Sequence, residues 1–263
     1  MSAEVAGGLQ EIIHRPNGIL LVTGPTGSGK TTTLYGCLRL INQPELKILT
    51  AEDPVEYEMA GVMQLPVNPG IGLTFSAALR SFLRQDPDVL MVGEIRDLET
   101  AQIAIQAALT GHLVLSTLHT NDAAGAVTRL IDMGVEPFLL CATLEAVLAQ
   151  RLVRRTCPEC REPAEPSAAL LARFGCDPAQ VSGQGFARGR GCGACRQTGY
   201  QGRTGIFEWL RIDEAIRELV MQRAPALVLT RLAVAHGMET LRAAGLRAVF
   251  EGRTTLEELV RIA

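Results

Sequence analysis

Residues 1–155 alternate short apolar runs with segments of helix-like spacing. The runs are apolar at successive positions rather than at every second one, which is typical of strands buried on both faces of a parallel sheet. The segments between them repeat apolar residues every three or four positions, as amphipathic helices do. This alternation predicts an α/β domain. The four candidate strands are residues 19–22, 47–50, 89–92 and 113–116.

The same pattern divides the chain into three segments. Residues 1–155 form the α/β core, within which residues 57–72, rich in Gly, Pro and Asn, predict a hairpin or an irregular excursion. Residues 156–205 are Gly-rich, carry cysteines and lack long periodic stretches, as expected of a small inserted module. Residues 206–263 return to helical spacing and predict a helical subdomain.

Composition narrows the class of protein. With 47% hydrophobic and 20% charged residues among 263, the chain has the composition of a globular protein that can bury a sizeable core. A net charge of −3 argues against a chain-wide basic surface for nucleic acid, and 4% aromatic residues argue against a base-stacking channel. No apolar run reaches the ~18 residues that span a bilayer, and no basic and apolar leader opens the sequence. The cytoplasm is therefore the expected compartment.

A glycine-rich loop follows the first candidate strand and precedes a stripe of helical spacing. Gly24, Gly29, Lys30 and Thr31 meet the pattern G-x-x-x-x-G-K-[ST], in which backbone N–H groups surround phosphate oxygens. The lysine would reach the β- and γ-phosphates, and the threonine hydroxyl would bind Mg²⁺. The loop therefore predicts nucleotide binding. Its candidate contacts are Gly24, Pro25, Thr26, Gly27, Ser28, Gly29, Lys30, Thr31 and Thr32.

Carboxylates follow two of the candidate strands. Glu94 comes after the third one, and the carboxyl end of a parallel strand faces the ligand crevice. This residue could therefore order a Mg²⁺-bound water or activate the attacking water. Glu52 and Asp53 follow the second strand, with Glu56 nearby, and could join the same network. The alternatives are a solvated strand-end glutamate and a plain turn at the step from Asp53 to Pro54.

Histidines and arginines add candidates for contact with the γ-phosphate. His119 follows the fourth candidate strand and could donate to this phosphate, although a lone histidine is more often structural. His112 begins that strand and lies at the wrong end, which favours a structural role. Arg80 and Arg84, four apart on a predicted helix, and Arg96 could stabilise transition-state charge, also in a neighbouring subunit. Each could equally be an ordinary surface or salt-bridged arginine.

Two C-x-x-C pairs predict a metal site. Cys157 and Cys160 form the first pair and Cys192 and Cys195 the second, with 31 residues between Cys160 and Cys192. Four thiolates in such knuckles suit a structural Zn²⁺ held tetrahedrally, and the long separation requires a loop between the pairs. Redox dithiols or unligated core cysteines are the alternatives. The remaining cysteines are interpreted as packing residues: Cys37, Cys141 and Cys176.

With these residues in place, the chain resembles the ATPase domain of the type II secretion and type IV pilus assembly family. Four stretches carry the resemblance, namely GPTGSGKTTTLY from Gly24, AEDPVEY from Ala51, LRQDPDVLMVGEIRD from Leu83 and TGHLVLSTLHTNDA from Thr110. The tetracysteine module and the GRTGIFE that begins at Gly202 extend it over nearly the whole chain. This combination of motifs is far more specific than a phosphate loop alone.

The resemblance implies a RecA-like P-loop core with a small Cys₄ zinc module and a C-terminal helical subdomain. The family's acidic box corresponds to Glu52, Asp53 and Glu56, its Walker B glutamate to Glu94, and its histidine box to His112 and His119. The residues expected to carry catalysis are thus Glu94, Glu52, His119 and Lys30.

The resemblance also implies cofactors and partners. ATP, Mg²⁺ and Zn²⁺ are the expected cofactors of a homo-hexameric ring that powers pseudopilus assembly and protein export. Such a ring would be cytoplasmic and would associate peripherally with the inner membrane through secretion or pilus platform proteins, with no nucleic acid partner. The zinc module favours assembly or secretion ATPases over retraction motors, and type II secretion is preferred to type IV pilus extension.

Two alternative functions remain, and the chain departs from the family pattern in one respect. A RecA-like nucleic-acid motor and a non-catalytic nucleotide-binding scaffold are the alternatives to an export ATPase. Family members usually carry amino-terminal domains, one of which contributes arginines to a neighbour's nucleotide. Here 23 residues precede Gly24. The resemblance therefore implies a fragment or an unusually short form, and it leaves open whether this chain alone assembles a ring and reaches full turnover.

Overall fold

The computed structural model describes residues 1–177, 181, 183 and 185–261, which form two compact units. The first unit comprises Met1–Gln150 and Glu208–Met238, and the second comprises Arg151–Phe207 and Glu239–Ala263. This division differs from the three sequential segments expected above. The C-terminal helices are shared between the two units, because residues 208–238 pack with the first unit and residues 239–261 with the second.

A seven-stranded sheet has the strand order β3-β2-β4-β5-β1-β6-β9. Five neighbouring pairs are parallel: β1 with β5, β1 with β6, β2 with β3, β2 with β4, and β4 with β5. The strands are β1 Gly18–Thr23, β2 Ile48–Glu52, β3 Val62–Pro66, β4 Val89–Val92, β5 Leu113–Leu118, β6 Leu144–Thr156 and β9 Tyr200–Arg211. All four candidate strands are confirmed, as is the α/β class with a mostly parallel sheet. Every residue of β1, β2, β4 and β5 is buried, as the continuous apolar runs predict.

The predicted hairpin within residues 57–72 is wrong. Strand β3 lies in this segment, but it pairs parallel to β2 and forms an edge of the sheet. The chain reaches it through an irregular connection, so that part of the expectation is confirmed. An edge strand is only half covered, and its five residues include the exposed Met63 and Pro66. The apolar run that marks the central strands is therefore absent here.

Three helices of the first unit begin at an aspartate that caps them. The carboxylates of Asp97, Asp122 and Asp213 accept hydrogen bonds from the backbone N–H of Thr100 (2.7 Å), Gly125 (2.6 Å) and Ile216 (2.9 Å). The helices are α1 Ala3–Ile13, α2 Lys30–Ile41, α3 Phe75–Phe82, α4 Leu98–Leu109, α5 Ala123–Asp132, α6 Pro137–Thr143, α8 Glu214–Met221 and α9 Ala226–Ala235. None of the described helices is both long enough and apolar enough to span a membrane.

The second unit combines short strands with helices around a small core. Strands β7 Arg161–Pro163 and β8 Ala187–Gly189 pair antiparallel. Helices α7 Ala168–Arg173, α10 Leu241–Phe250 and α11 Leu256–Val260 supply six of the nine buried residues in the hydrophobic cluster of this unit, among them Leu171, Ala248 and Leu259. The helical spacing predicted for the C-terminal segment is thus confirmed for α8 to α11.

Candidate functional site

The glycine-rich loop joins β1 to α2, and its backbone requires glycine. Gly24, Gly27 and Gly29 have φ angles of +149°, +77° and +87°, a region that other residues rarely adopt. A Cβ on Gly24 would also lie 2.5 Å from the carbonyl oxygen of Gln150 and 2.6 Å from Oγ of Ser28. The tip at residues 25–27 is exposed, whereas Gly24, Ser28 and Lys30 are buried. The loop is therefore a tight cradle that is open at its tip.

The start of α2 leaves backbone donors available to an anion. Its N-cap is Gly29, which offers no side-chain acceptor, in contrast to the aspartates that cap α4 and α5. The ammonium of Lys30 donates to the carbonyl oxygens of Gly24 (2.9 Å) and Pro25 (3.2 Å), so its charge lies inside the loop. The buried Oγ of Ser28 has no hydrogen-bond partner among the described residues. Open N–H groups, a cation and an unsatisfied hydroxyl fit a polyphosphate.

Charged side chains that follow strands β2, β4 and β5 converge at the carboxyl end of the sheet. Nε2 of His119 lies 3.1 Å from Oε1 of Glu94, and Nε of Arg96 donates to Oε2 of the same carboxylate at 2.8 Å. The guanidinium of Arg96 also lies 3.5 Å from Oδ2 of Asp53. The Glu94 hydrogen bond raises the pKa of Arg96 above its ordinary value. The structure thus brings together Asp53, Glu94, Arg96 and His119.

Hydroxyl groups hold these strand ends in register. Oγ1 of Thr117 donates to the carbonyl of Gly93 at 2.6 Å. This hydrogen bond joins the turn that contains Glu94 to the end of β5. Beyond β5, Oγ1 of Thr120 lies 2.7 Å from Oγ1 of Thr23, the residue that precedes the phosphate loop. The segment that carries His119 is therefore tied on one side to the Glu94 turn and on the other to the start of the loop.

Glu52 lies at the same end of the sheet but is held differently. It is buried, and its Oε1 accepts hydrogen bonds from Oγ1 of Thr50 (2.5 Å) and Nε2 of Gln64 (3.0 Å). Its Oε2 accepts a hydrogen bond from the hydroxyl of Tyr35, a buried residue of α2. Burial and the Glu52 hydrogen bond raise the pKa of Tyr35 to about 12. Glu56 touches the same network through its backbone N–H, which donates to the Tyr35 hydroxyl at 3.3 Å. The structure therefore gives the Glu52 carboxylate internal partners.

Two other candidates lie away from the converging carboxylates. His112 precedes β5, and its Nδ1 lies 2.8 Å from the carbonyl oxygen of Ala107, whereas His119 follows the strand roughly 20 Å further on. Arg80 pairs with Glu99 at 2.5 Å. Helix α3 ends at Phe82, so the predicted single helix carrying both Arg80 and Arg84 is wrong.

The four cysteines of the second unit form a cluster. All four sulfur atoms lie within 4.8 Å of one another, with Sγ–Sγ distances of 3.9 Å from Cys157 to Cys192, 3.9 Å from Cys160 to Cys195 and 3.7 Å from Cys192 to Cys195. Four thiolates at about 2.3 Å from a tetrahedral Zn²⁺ would be about 3.8 Å apart, so this geometry fits zinc.

Backbone donors contact two of the four sulfur atoms, and the pKa values of these two cysteines shift in opposite directions: burial raises the pKa of Cys160 to about 12, whereas the pKa of Cys195 is lowered. The N–H groups of Gly191 and Cys192 point at the sulfurs of Cys160 (3.3 Å) and Cys195 (3.2 Å). Burial raises the pKa of Cys195, but hydrogen bonds from the N–H groups of Cys192 and Gly199 outweigh it and lower this pKa to about 6. Such N–H donors are the outer-shell partners that a thiolate metal site uses.

Gln150 is a site residue that the sequence reasoning missed. It lies in β6, is 2% exposed and donates from Nε2 to the carbonyl oxygen of Ser28 at 2.6 Å. Strand β6 was not among the candidate strands, because polar and charged residues interrupt its apolar pattern. No signal in the sequence marks this residue, because its contact with Ser28 joins positions 122 residues apart.

Comparisons with known proteins place this geometry in a family. The sequence profile of the family described as Type II/IV secretion system protein matches residues 1–261. The chain is 54% identical over 254 residues to the type II secretion system protein E of Pseudomonas aeruginosa, covering 97% of this chain and 50% of that protein. It is 53% identical over 252 residues to the type IV pilus assembly ATPase PilB of Myxococcus xanthus, covering 95% of this chain and 44% of that protein. The chain thus spans about half the length of the curated relatives it matches.

A solved structure agrees with these relatives. The fold is similar to that of the pilus retraction motor PilT with bound ADP, with a TM-score of 0.73 and 31% identity over 100% of this chain and 65% of that one. The profile match over nearly the whole length and the identity above one half lead to the same result: the chain belongs to the type II/IV secretion system protein family.

Proposed function

We propose that this chain is the ATP-hydrolysing, RecA-like motor domain of a type II secretion system. In this proposal it powers pseudopilus assembly and protein export from the cytoplasmic face of the inner membrane. The observation that carries it is the contact of Glu94 with His119 at the strand ends beside the phosphate loop. Phosphoryl transfer to water needs a group that positions or activates the water and donors that stabilise charge on the phosphate, and a carboxylate and an imidazole beside a phosphate cradle can supply these.

Each part of the site then has a role. The N–H groups at the start of α2 and the ammonium of Lys30 bind the β- and γ-phosphates. The hydrogen bonds from this ammonium to the carbonyls of Gly24 and Pro25 support its placement inside the loop. Glu94 accepts a proton from the attacking water or orients that water. Glu94 orients His119 through Nε2, and an imidazole protonated on both ring nitrogens would donate from Nδ1 toward the terminal phosphate. Glu52 contributes by fixing Tyr35 of α2 rather than by touching the phosphates.

Two metal ions belong to this proposal. The hydroxyl of Thr31 would hold Mg²⁺, which neutralises charge on the phosphate oxygens when bound. Zn²⁺ would be held by Cys157, Cys160, Cys192 and Cys195, and its four ligand positions would all be filled by protein. The zinc would therefore stabilise the fold of the second unit and take no part in the chemistry.

The assembly state and partners are part of the same proposal. The chain would act within a homo-hexamer, cytoplasmic and peripheral at the inner membrane, docked through inner-membrane platform proteins. Nucleic acid is not an expected partner, because the net charge is −3.

Type IV pilus assembly is the second candidate function. The 53% identity to a type IV pilus assembly ATPase is nearly equal to the 54% identity to a type II secretion protein, and it supports this alternative directly. Complementation decides between them: the gene that encodes this chain would restore either protein export or pilus extension in a strain that lacks the matching ATPase.

The test of the motor function is a comparison of binding with turnover. The 263-residue chain should bind ADP and hydrolyse ATP only with Mg²⁺, and Glu94→Gln should abolish hydrolysis while ADP binding stays within about twofold. The matched control is Glu99→Gln, which changes an exposed glutamate that pairs with Arg80. Full turnover in Glu94→Gln would remove Glu94 from its role. DNA-stimulated hydrolysis would instead favour a nucleic-acid motor. Nucleotide binding without turnover at any protein concentration would favour a non-catalytic scaffold.

A further inference from the structure

Gln150 connects strand β6 to two points of the phosphate loop and α2. Its Nε2 donates to the carbonyl oxygen of Ser28 at 2.6 Å, and its Oε1 accepts from Oγ1 of Thr33 at 2.8 Å. Its own carbonyl oxygen lies so close to Gly24 that a Cβ there would approach it to 2.5 Å. This one residue therefore touches the beginning, the end and the following helix of the loop.

The orientation of the amide is fixed by chemistry. The carbonyl of Ser28 can only accept a hydrogen bond, so the nitrogen of Gln150 must face it. The oxygen of Gln150 then faces Thr33, whose hydroxyl donates to it. An isosteric glutamate could keep the second contact but would set a negatively charged oxygen against the Ser28 carbonyl. Gln150 is also almost fully buried, so water cannot replace the lost donor.

A phosphate-binding loop works only if its N–H groups point inward. The carbonyl groups of the same peptides must then point outward, and a buried carbonyl without a hydrogen-bond donor destabilises that conformation. Gln150 supplies that donor at Ser28, two residues before the helix that also faces the phosphates. Its amide thus stabilises the loop conformation that presents N–H groups to an anion.

We propose that Gln150 is a positioning residue that preorganises the phosphate loop and thereby sets the affinity of the chain for nucleoside polyphosphates. This inference rests on the proposed function. Gln150 acts through Ser28 and Thr33 and does not touch the nucleotide. Preorganisation strengthens ground-state binding, so its loss raises KM more than it changes kcat.

The experiment uses Gln150→Met and Gln150→Glu in the 263-residue chain. ADP affinity is measured by titration, KM and kcat for ATP by phosphate release, and the thermal midpoint without nucleotide by calorimetry. We expect ADP affinity to fall about tenfold or more and KM to rise in step, with kcat changing less than KM. Affinity and KM within twofold of those of the unaltered chain would overturn the inference, even if the thermal midpoint fell.

Thr33 provides a milder second variant. Thr33→Val removes only the hydroxyl, at a half-buried position, and should weaken ADP binding by less than the Gln150 variants. Thr33→Ser, which keeps the hydroxyl, should restore the affinity. Should the Gln150 variants not fold, unchanged ADP affinity in Thr33→Val would overturn the inference. Absence of ADP binding by the unaltered chain would instead overturn the proposed function, and this inference with it.

Discussion

Glu94 and His119 face each other across neighbouring strand ends, with Nε2 of the imidazole 3.1 Å from Oε1 of the carboxylate. The two residues are 25 positions apart, and each follows its own buried parallel strand. The contact persists because Thr117 ties the two turns together through the Gly93 carbonyl. The pair can therefore act as a unit in the proposed hydrolysis.

We predict that His119→Ala lowers kcat for ATP hydrolysis by about 10²-fold, because a preorganised donor to the terminal phosphate is lost. ADP affinity should stay within about twofold. The matched control is His14→Ala, since His14 is an exposed histidine whose Nδ1 lies 2.7 Å from the carbonyl oxygen of Gln10 in the preceding helix. Unchanged turnover in His119→Ala would contradict the assigned role.

Glu52 and Tyr35 should behave as one structural unit. Tyr35→Phe and Glu52→Gln each break a buried hydrogen bond, and each should lower the free energy of unfolding by about 1–3 kcal/mol. The double variant should lose much less than the sum, as measured by urea denaturation. Additive losses would show that the two side chains contribute independently.

Removal of zinc should unfold the second unit. Mass spectrometry of the native chain should find one Zn²⁺, and a strong chelator or Cys192→Ser should remove this ion. The second unit should then unfold, because zinc binding contributes about 10–16 kcal/mol to folding in small thiolate sites. Cys176→Ser is the control, since this half-buried cysteine lies outside the sulfur cluster. Full zinc content and an unchanged melting profile in Cys192→Ser would contradict the metal site.

Glu258 should make the stability of the chain depend on acidic pH. Burial raises its pKa, but hydrogen bonds from the side chain and backbone N–H of Arg154 and from Arg261 lower it below its ordinary value of 4.5. The stabilisation is therefore present above about pH 4.5 and is lost as the pH falls through the lower pKa of the folded state. Glu258→Gln should be less stable at pH 7 and show a flatter decline below pH 4.5 in denaturation measurements. An unaltered pH profile would contradict this coupling.

The sequence predicts the parts of this fold that depend on neighbours along the chain. The central strands are buried on both faces, so their apolar runs identify them without tertiary information. The phosphate loop is likewise a contiguous pattern. Strand β6 is missed because its burial depends on distant partners: Arg154, for example, is neutralised by Glu258, 104 positions away.

The site shows the same limit. The sequence identifies Glu94 and His119 as strand-end residues, and the structure brings them into contact. For Glu52 the sequence gives the position but not the partners, since Tyr35 and Gln64 come from α2 and from an edge strand that no apolar run predicts. Gln150 is 122 positions from Ser28, so only the paired strands reveal its contact with the loop.

The edge strand β3 has a consequence for the behaviour of the protein in concentrated solution. An exposed edge offers unpaired N–H and C=O groups on which a second chain can add a strand and begin to aggregate. Strand β3 is only five residues long, and it ends at Pro66, which has no N–H to donate. The N–H of the next residue, Val67, turns inward to the carbonyl of Glu52 at 2.8 Å. The proline thus lies where the ladder would otherwise be extended, and it protects the chain against self-association through this edge.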